Sequence, residues 1–289
     1  MHCLLSQDAM QRKGNRNRAT VRLTASIIHQ AEEIHAPSAV THQTNVIGIL
    51  GGDSSLNFAK KLVDHERELP FVLCTDPVLS NELLSLDRGS LHCISGKPAR
   101  VHIDHSSIVE NLRCKRAILE KSGVCCIVMP CHALHSWQDE IEEGCSVPFI
   151  HMGESVANEL KEAELRPVQA GTPLSIGILA TNTTLVTRMY REKLENEGFD
   201  VVMPDENTIK HIVIPAVDAL STKDFEGARN LLRISLHILL VRAVNRIILA
   251  SDELREILPP DDPLWRKCID PMDALARSTV KYAQSAGRR

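Results

Sequence analysis

Two stretches of this chain carry the same apolar pattern in the same order, which constrains it to fold as two similar halves. Ile47-Gly48-Ile49-Leu50 opens the first copy and Ile176-Gly177-Ile178-Leu179 the second. Each copy later contains an apolar run that ends on a small polar residue. Cys125-Cys126-Ile127-Val128-Met129-Pro130 leads to Cys131 and into His132-Ala133-Leu134-His135. Arg246-Ile247-Ile248-Leu249-Ala250 leads to Ser251 and into Asp252-Glu253-Leu254. The openings lie 129 residues apart (47 to 176) and the strand-end residues 120 apart (131 to 251). A thiol in one half therefore answers a hydroxyl in the other. A cleft between the halves would offer a proton donor and a proton acceptor from opposite walls.

Around these runs, short β-branched stretches alternate with helical periodicity. The pattern predicts strands at 46–50, 71–74, 125–129, 176–180, 200–203 and 246–250. It predicts helices at 56–68, after Cys131, at 185–197 stopped by Gly198, and at 224–245. Another helix, capped by Ser106 or Ser107, would bury Ile108, Leu112, Ile118 and Leu119 and end before Gly123. A last one starts at Asp270-Pro271, an acidic N-cap followed by proline at the first helical position. Strand, helix, strand with continuously apolar strands means a parallel sheet covered on both faces. The expected fold class is α/β, with two pseudo-symmetric doubly wound parallel-sheet domains and the active site in the cleft between them. Residues 44–150 plus 270–289 would form the first domain and 151–269 the second.

Composition removes several function classes. The 289 residues are enough for two α/β domains of ordinary size. A net charge of −4 and the lack of a basic stripe with interleaved aromatics argue against nucleic-acid binding. With 3% aromatics, a stacking platform for bases or sugars has little material. The longest apolar run, 234–244, is broken by His237 and Arg242, falls short of a membrane span and reads as a buried helix. Nine cysteines without secreted-domain spacing, several inside apolar runs, point to a reduced intracellular compartment. No Cys-x-x-Cys pair is present. Cys131 with His135, or His102 with Asp104 and His105, fall short of a metal site, so no metal is expected. Residues 1–31 hold Arg12, Lys13, Arg16, Arg18 and Arg22 against one acid, Asp8. Residues 1–43 are then either a transit peptide for plastid or mitochondrion or a plain basic tail of a cytoplasmic protein.

In a parallel sheet, ligands bind beyond the carboxyl ends of the strands. Gly52, Asp53 and Ser54, then Cys131 and His132, then Thr181, Asn182 and Thr183, then Ser251, Asp252 and Glu253 all fall at such exits. Gly51-Gly52 lets backbone approach a ligand, although a tight turn alone would explain it. The dinucleotide spacing Gly-x-Gly-x-x-Gly is absent, so no nicotinamide or flavin site is inferred. Thr181-Asn182-Thr183-Thr184 exceeds what helix capping needs and offers donors for a carboxylate or phosphate. Cys131, ahead of a helix N-terminus and near histidines, would carry an elevated thiolate fraction, whereas the bland reading is a buried inert thiol. Asp252 and Glu253 are either partners for Ser251 or charges that favour a helix N-terminus. The stretch 85–100, rich in Ser and Gly, reads as a lid or an exposed loop.

At these residues the chain resembles the cofactor-independent aspartate/glutamate racemases, over roughly residues 45–285. Ile-Gly-Ile-Leu-Gly-Gly at 47–52 is similar to the family's opening strand and turn. Met129-Pro130-Cys131-His132-Ala133-Leu134-His135 resembles its Met-Pro-Cys-Asn-Thr-x-His. Gly177-Ile178-Leu179-Ala180-Thr181-Asn182-Thr183 resembles its carboxylate loop, and Ile248 to Leu254 its Leu-Gly-Cys-Thr-Glu-Leu. The resemblance implies two cysteines facing each other across the substrate α-carbon, with no pyridoxal phosphate or other cofactor. Cys131 matches the first. Ser251 stands where the second belongs, and His132-Ala133 replace Asn-Thr.

The resemblance thus implies an amino-acid racemase of the aspartate and glutamate kind, assembled as a homodimer. Cys131, Ser251 and Asp252 would be catalytic. Gly52, Asp53, Ser54, His132, Thr181, Asn182, Thr183 and Glu253 would hold a small amino or carboxylic acid. Two alternatives stay open: a one-cysteine decarboxylase or isomerase, and a non-catalytic carboxylate-binding protein.

Overall fold

The computed structural model describes residues 45–76, 105–166 and 171–286. The segment 1–43 and the stretch 85–100 lie outside the described residues, as do His102 and Asp104. Among the described residues, eight strands form two four-stranded sheets in which every pairing is parallel. The first sheet contains β1 (Ile47–Gly51), β2 (Phe71–Thr75), β3 (Cys126–Val128) and β4 (Phe149–Ile150), in the order β2-β1-β3-β4. The second contains β5 (Leu174–Leu179), β6 (Phe199–Val202), β7 (Arg246–Leu249) and β8 (Cys268–Ile269), in the order β6-β5-β7-β8. The sequence repeat is therefore a repeat of topology. Even single bonds recur: Cys125 N–H donates to Val46 O at 2.8 Å, and Asn245 N–H to Ser175 O at 2.7 Å.

The repeated glycine has a packing cause. Gly48 pairs with Ile127 and Gly177 with Ile247 across the central strands. A Cβ on Gly48 would lie 3.2 Å from Ile127 Cγ1 and from Val124 Cγ2, and one on Gly177 3.2 Å from Ile247 Cγ1 and Leu239 Cδ1. At both places a branched side chain from the neighbouring segment occupies the space a side chain would need.

The described helices of eleven or more residues are α1 (Ser54–His65), α2 (His105–Lys121), α3 (Met152–Glu162), α4 (Phe225–Val241) and α6 (Pro271–Ala286), with the shorter α5 (Asp252–Ile257) between the last two. The outer face of the first sheet buries Leu50, Ile127 and Met129 against Ile108 and Leu112 of α2. The outer face of the second buries Leu179, Ile247 and Leu249 against Leu232, Leu236 and Leu239 of α4. The inner faces share one core, from Ile47, Ile49 and Phe58 to Ile176, Tyr190, Ile248 and Met272. The helix after each sheet's last strand packs onto the other half: α3 against Glu192–Asn196, α6 against α1, and α3 and α6 against each other. Asp270 starts α6 as expected, its Oδ1 accepting from Met272 N–H at 3.0 Å.

Several sequence expectations need correction. The first helix spans Ser54–His65, not 56–68, and α4 ends at Val241 rather than 245. Ile118 is 54% exposed, so it lies off the buried side of α2. The run 234–244 is only half a buried helix, with Ile234 48% and Val241 86% exposed. The segment 185–197 is Thr183–Val186, a π turn at Thr187–Arg191 and Glu192–Asn196. No described helix is long and apolar enough to cross a membrane.

Candidate active site

The exits of β1, β3, β5 and β7 open on one cavity of about 210 Å³. Central strands of parallel sheets end where their flanking helices diverge, which leaves room for a ligand there. The β1–α1 turn supplies Gly52, Asp53 and Ser54; the β3 exit, Cys131 and His132; the β5 exit, Thr181 and Asn182; the β7 exit, Ser251, Asp252 and Glu253. Thr183 instead opens the helix Thr183–Val186 and does not line the cavity. The turn after β1 depends on Gly51, whose φ is +154° and whose Cβ would stand 2.8 Å from Ser55 Oγ.

Cys131 is a half-buried thiol following Pro130. The helix expected after it is a five-residue 3₁₀ turn, Ala133–Trp137, and then the short helix Gln138–Glu142. His135 is directed away from the cavity. Its Nε2–H donates to Met129 O at 3.0 Å, and Nδ1 lies 2.9 Å from the Gln138 side chain. Burial pushes its pKa down to about 4, so it is a neutral structural histidine rather than a charge beside the thiol.

His132 has the opposite orientation. Its Nε2 lies 3.1 Å from the Tyr190 hydroxyl and its Nδ1 3.6 Å from Asp252 Oδ1. The second distance is too long for a direct hydrogen bond, and buried Nδ1 has no hydrogen-bond partner among the described residues. Burial, with the charges of Asp252 and Asp270, holds the Tyr190 phenol well above its usual range, so it remains a neutral hydroxyl.

On the other wall, Ser251 occupies the position equivalent to Cys131. Its Oγ accepts from Thr181 N–H at 3.2 Å and shares a 3.0 Å bond with Thr181 Oγ1. A hydroxyl has one donor and two acceptor sites, so most of its capacity joins the β5 and β7 exits. Asp252 and Glu253 form the first turn of α5, as the helix-dipole reading expected, and both also line the cavity. Burial and the Asp252 charge push the Glu253 carboxyl above its ordinary value, partly offset by a backbone N–H. Asn182 Oδ1 accepts from Leu185 N–H at 3.2 Å and so caps the helix while facing the cavity.

Sequence reasoning missed Asn57 and Glu256 in the lining. Each stands four residues after a candidate, Asp53 and Asp252, so the helical i, i+4 rule would have put them on the same face. It also missed Tyr190, whose contact with His132 spans 58 residues and leaves no local signal. Among the described residues, no group of three or more His, Cys, Asp or Glu is placed to hold a metal ion.

The comparisons with known proteins agree with this architecture. A family model described as Asp/Glu/hydantoin racemase matches residues 97–279. The broad specificity amino-acid racemase RacX of Bacillus subtilis (strain 168) is 26% identical over 163 residues, 55% of this chain and 65% of that protein. The chain thus spans just under two thirds of that relative's length. Among solved structures, an aspartate racemase homologue from Pyrococcus horikoshii OT3 superposes with a TM-score of 0.60 at 18% identity, covering 83% of this chain and 99% of that one. The aspartate racemase of Picrophilus torridus also gives 0.60, at 20% identity, covering 83% of this chain and 94% of that one. At such identities the superpositions speak for the fold, while the family match carries membership: this chain belongs to the Asp/Glu/hydantoin racemase family.

Proposed function

We propose that this protein is a cofactor-independent amino-acid racemase that moves the α-proton through Cys131. The observation that carries the reading is the meeting of Cys131 with Ser251, Asp252 and Glu253 in one cavity, from equivalent strand exits of two repeated halves. The Cys131 thiolate takes the α-hydrogen and becomes a thiol, leaving the electron pair delocalised into the substrate carboxylate. A proton held by Ser251 and the adjoining Asp252 or Glu253 carboxyl is delivered to the opposite face. The reverse sequence resets both groups. Thr181 and Asn182 supply neutral donors to the α-carboxylate, with Gly52 and Ser54 across the cavity. Thr183 enters this cradle only through its position at the head of the helix.

The engagement of Ser251 with Thr181 favours a second reading, in which Cys131 alone exchanges a proton on one face. Alpha-hydrogen exchange in D₂O, followed by NMR for paired L- and D-amino acids including aspartate and glutamate, separates the two. Exchange and inversion from both enantiomers support the racemase, and exchange from one enantiomer supports the one-sided reaction. No exchange above a Cys131→Ser control with any amino acid removes both.

A further inference from the structure

The pairing of His132 with Asp252 bears on which group stands opposite Cys131. Three side chains of the β7 exit line that wall of the cavity: Ser251, Asp252 and Glu253. The Ser251 hydroxyl is bound twice to Thr181, and a hydroxyl is a weak acid without a base beside it. Asp252 lies at ion-pair distance from an imidazole, 3.6 Å from His132 Nδ1. That imidazole comes from the first half, next in the chain to Cys131, and reaches Asp252 on α5 of the second. Its other nitrogen meets Tyr190, which sits in the π turn Thr187–Arg191. The Tyr190 hydroxyl can accept from Nε2–H or donate to a bare Nε2, so it keeps the ring in place whichever protons the ring carries. The proton that comes and goes is then the one at Nδ1, facing Asp252. Nδ1 itself is buried whereas Asp252 lines the cavity, so the imidazole acts on a substrate through the carboxyl.

We propose that Asp252 is the catalytic group opposite Cys131 and that His132 is its positioning residue and proton store. The proposal rests on reading the cavity as a racemase site. The pair holds one proton, as imidazolium and carboxylate. When the Cys131 thiolate takes the α-hydrogen, the Nδ1 proton crosses to Asp252. The carboxyl so formed gives that proton to the opposite face of the carbanion. Thiol, carboxylate and neutral imidazole result. The reverse reaction, starting from the other enantiomer, returns a proton to Nδ1 and leaves the thiolate. For that step the 3.6 Å contact shortens to hydrogen-bond length, as such contacts do around a bound substrate. The rival donor is Glu253, whose carboxyl is pushed above its ordinary value by burial and by Asp252, with His132 opposing.

The test uses the full chain and α-hydrogen exchange in D₂O, read by NMR for the L and D forms of alanine, lysine, aspartate and glutamate. His132→Gln, which can still bond the Tyr190 hydroxyl, and Asp252→Asn are compared with wild type, with urea midpoints as the control for folding. Both should slow exchange of one and the same enantiomer by ~10²-fold or more, leaving the other within ~3-fold. Cys131→Ser should impair the opposite enantiomer. If His132→Gln does not fold, His132→Asn takes its place with the same expectation. A merely structural role for His132 would slow both enantiomers alike, and that result overturns the proposal. Unchanged exchange in either variant overturns it too, as does asymmetry produced by Glu253→Gln and not by Asp252→Asn. Wild-type exchange of both enantiomers with symmetric variants sinks the proposal alone. Exchange of neither enantiomer of any of these amino acids by wild type sinks the racemase reading with it.

Discussion

His132 Nδ1 lies 3.6 Å from Asp252 Oδ1, and this pair joins the exit of β3 to the exit of β7 across the floor of the cavity. The same imidazole meets Tyr190, which is buried in the core that both sheets share. One side chain thus ties the first half to two separate segments of the second.

Removing that imidazole should cost stability as well as activity. His132→Ala leaves the Tyr190 hydroxyl buried without its partner, a loss of about 1–3 kcal/mol. Tyr190→Phe in the same background should cost much less than in the wild type, because the orphaned group is gone. A urea-denaturation double-mutant cycle measures the coupling, and strictly additive losses would show that the bond contributes nothing.

Ser251 admits two substitutions with opposite expectations. Ser251→Ala deprives Thr181 N–H of its acceptor and should destabilise the protein by about 1–2 kcal/mol. Ser251→Cys places a thiol opposite Cys131 at the equivalent strand exit and should speed α-hydrogen exchange by up to about 10²-fold. A folded Ser251→Cys protein with unchanged or slower exchange would count against two-sided proton transfer.

The paired glycines should be equally intolerant. Gly48→Ala and Gly177→Ala each bring a Cβ to 3.2 Å from two side-chain carbons, so each should lose about 1–3 kcal/mol. Urea midpoints for both variants test this, and a neutral Gly48→Ala would mean that Ile127 and Val124 can move aside.

Away from the cavity, Glu142 should give stability an unusual pH slope. Burial, then the charges of Asp139 and Glu154, raise its pKa to about 7 against the pull of Lys193, while His151 Nδ1 lies 3.3 Å away. A carboxyl with a raised folded-state pKa binds its proton more tightly in the native protein. Its contribution is therefore fully present below the unfolded value, near 4.5, and is lost as pH rises towards 7. Glu142→Gln has no such proton to lose, so its stability relative to wild type should improve between about pH 4.5 and 7. Chemical denaturation at both ends of that interval reads the change, and a constant difference would show that Glu142 titrates normally.

Periodicity and repetition in the sequence determined the sheet type, the duplicated topology and the convergence of Cys131, Thr181 and Ser251. Those features depend on local patterns: continuous apolar runs, a glycine at the same place twice, and a polar residue at each strand end. The two-residue strands β4 and β8 stayed hidden because a two-residue strand has no period to detect, whereas α3 was legible, its buried Met152, Val156 and Leu160 standing at i, i+4 and i+8. Ile118 and Val241 look like core residues by composition, yet only the assembled fold decides which apolar side chains find a neighbour. The same holds at the site. Which way His132 and His135 turn, and that Ser251 spends its hydroxyl on Thr181, follow from contacts between distant segments. Chain order specifies which residues reach a strand's end; tertiary packing alone sets their partners and the charge around them.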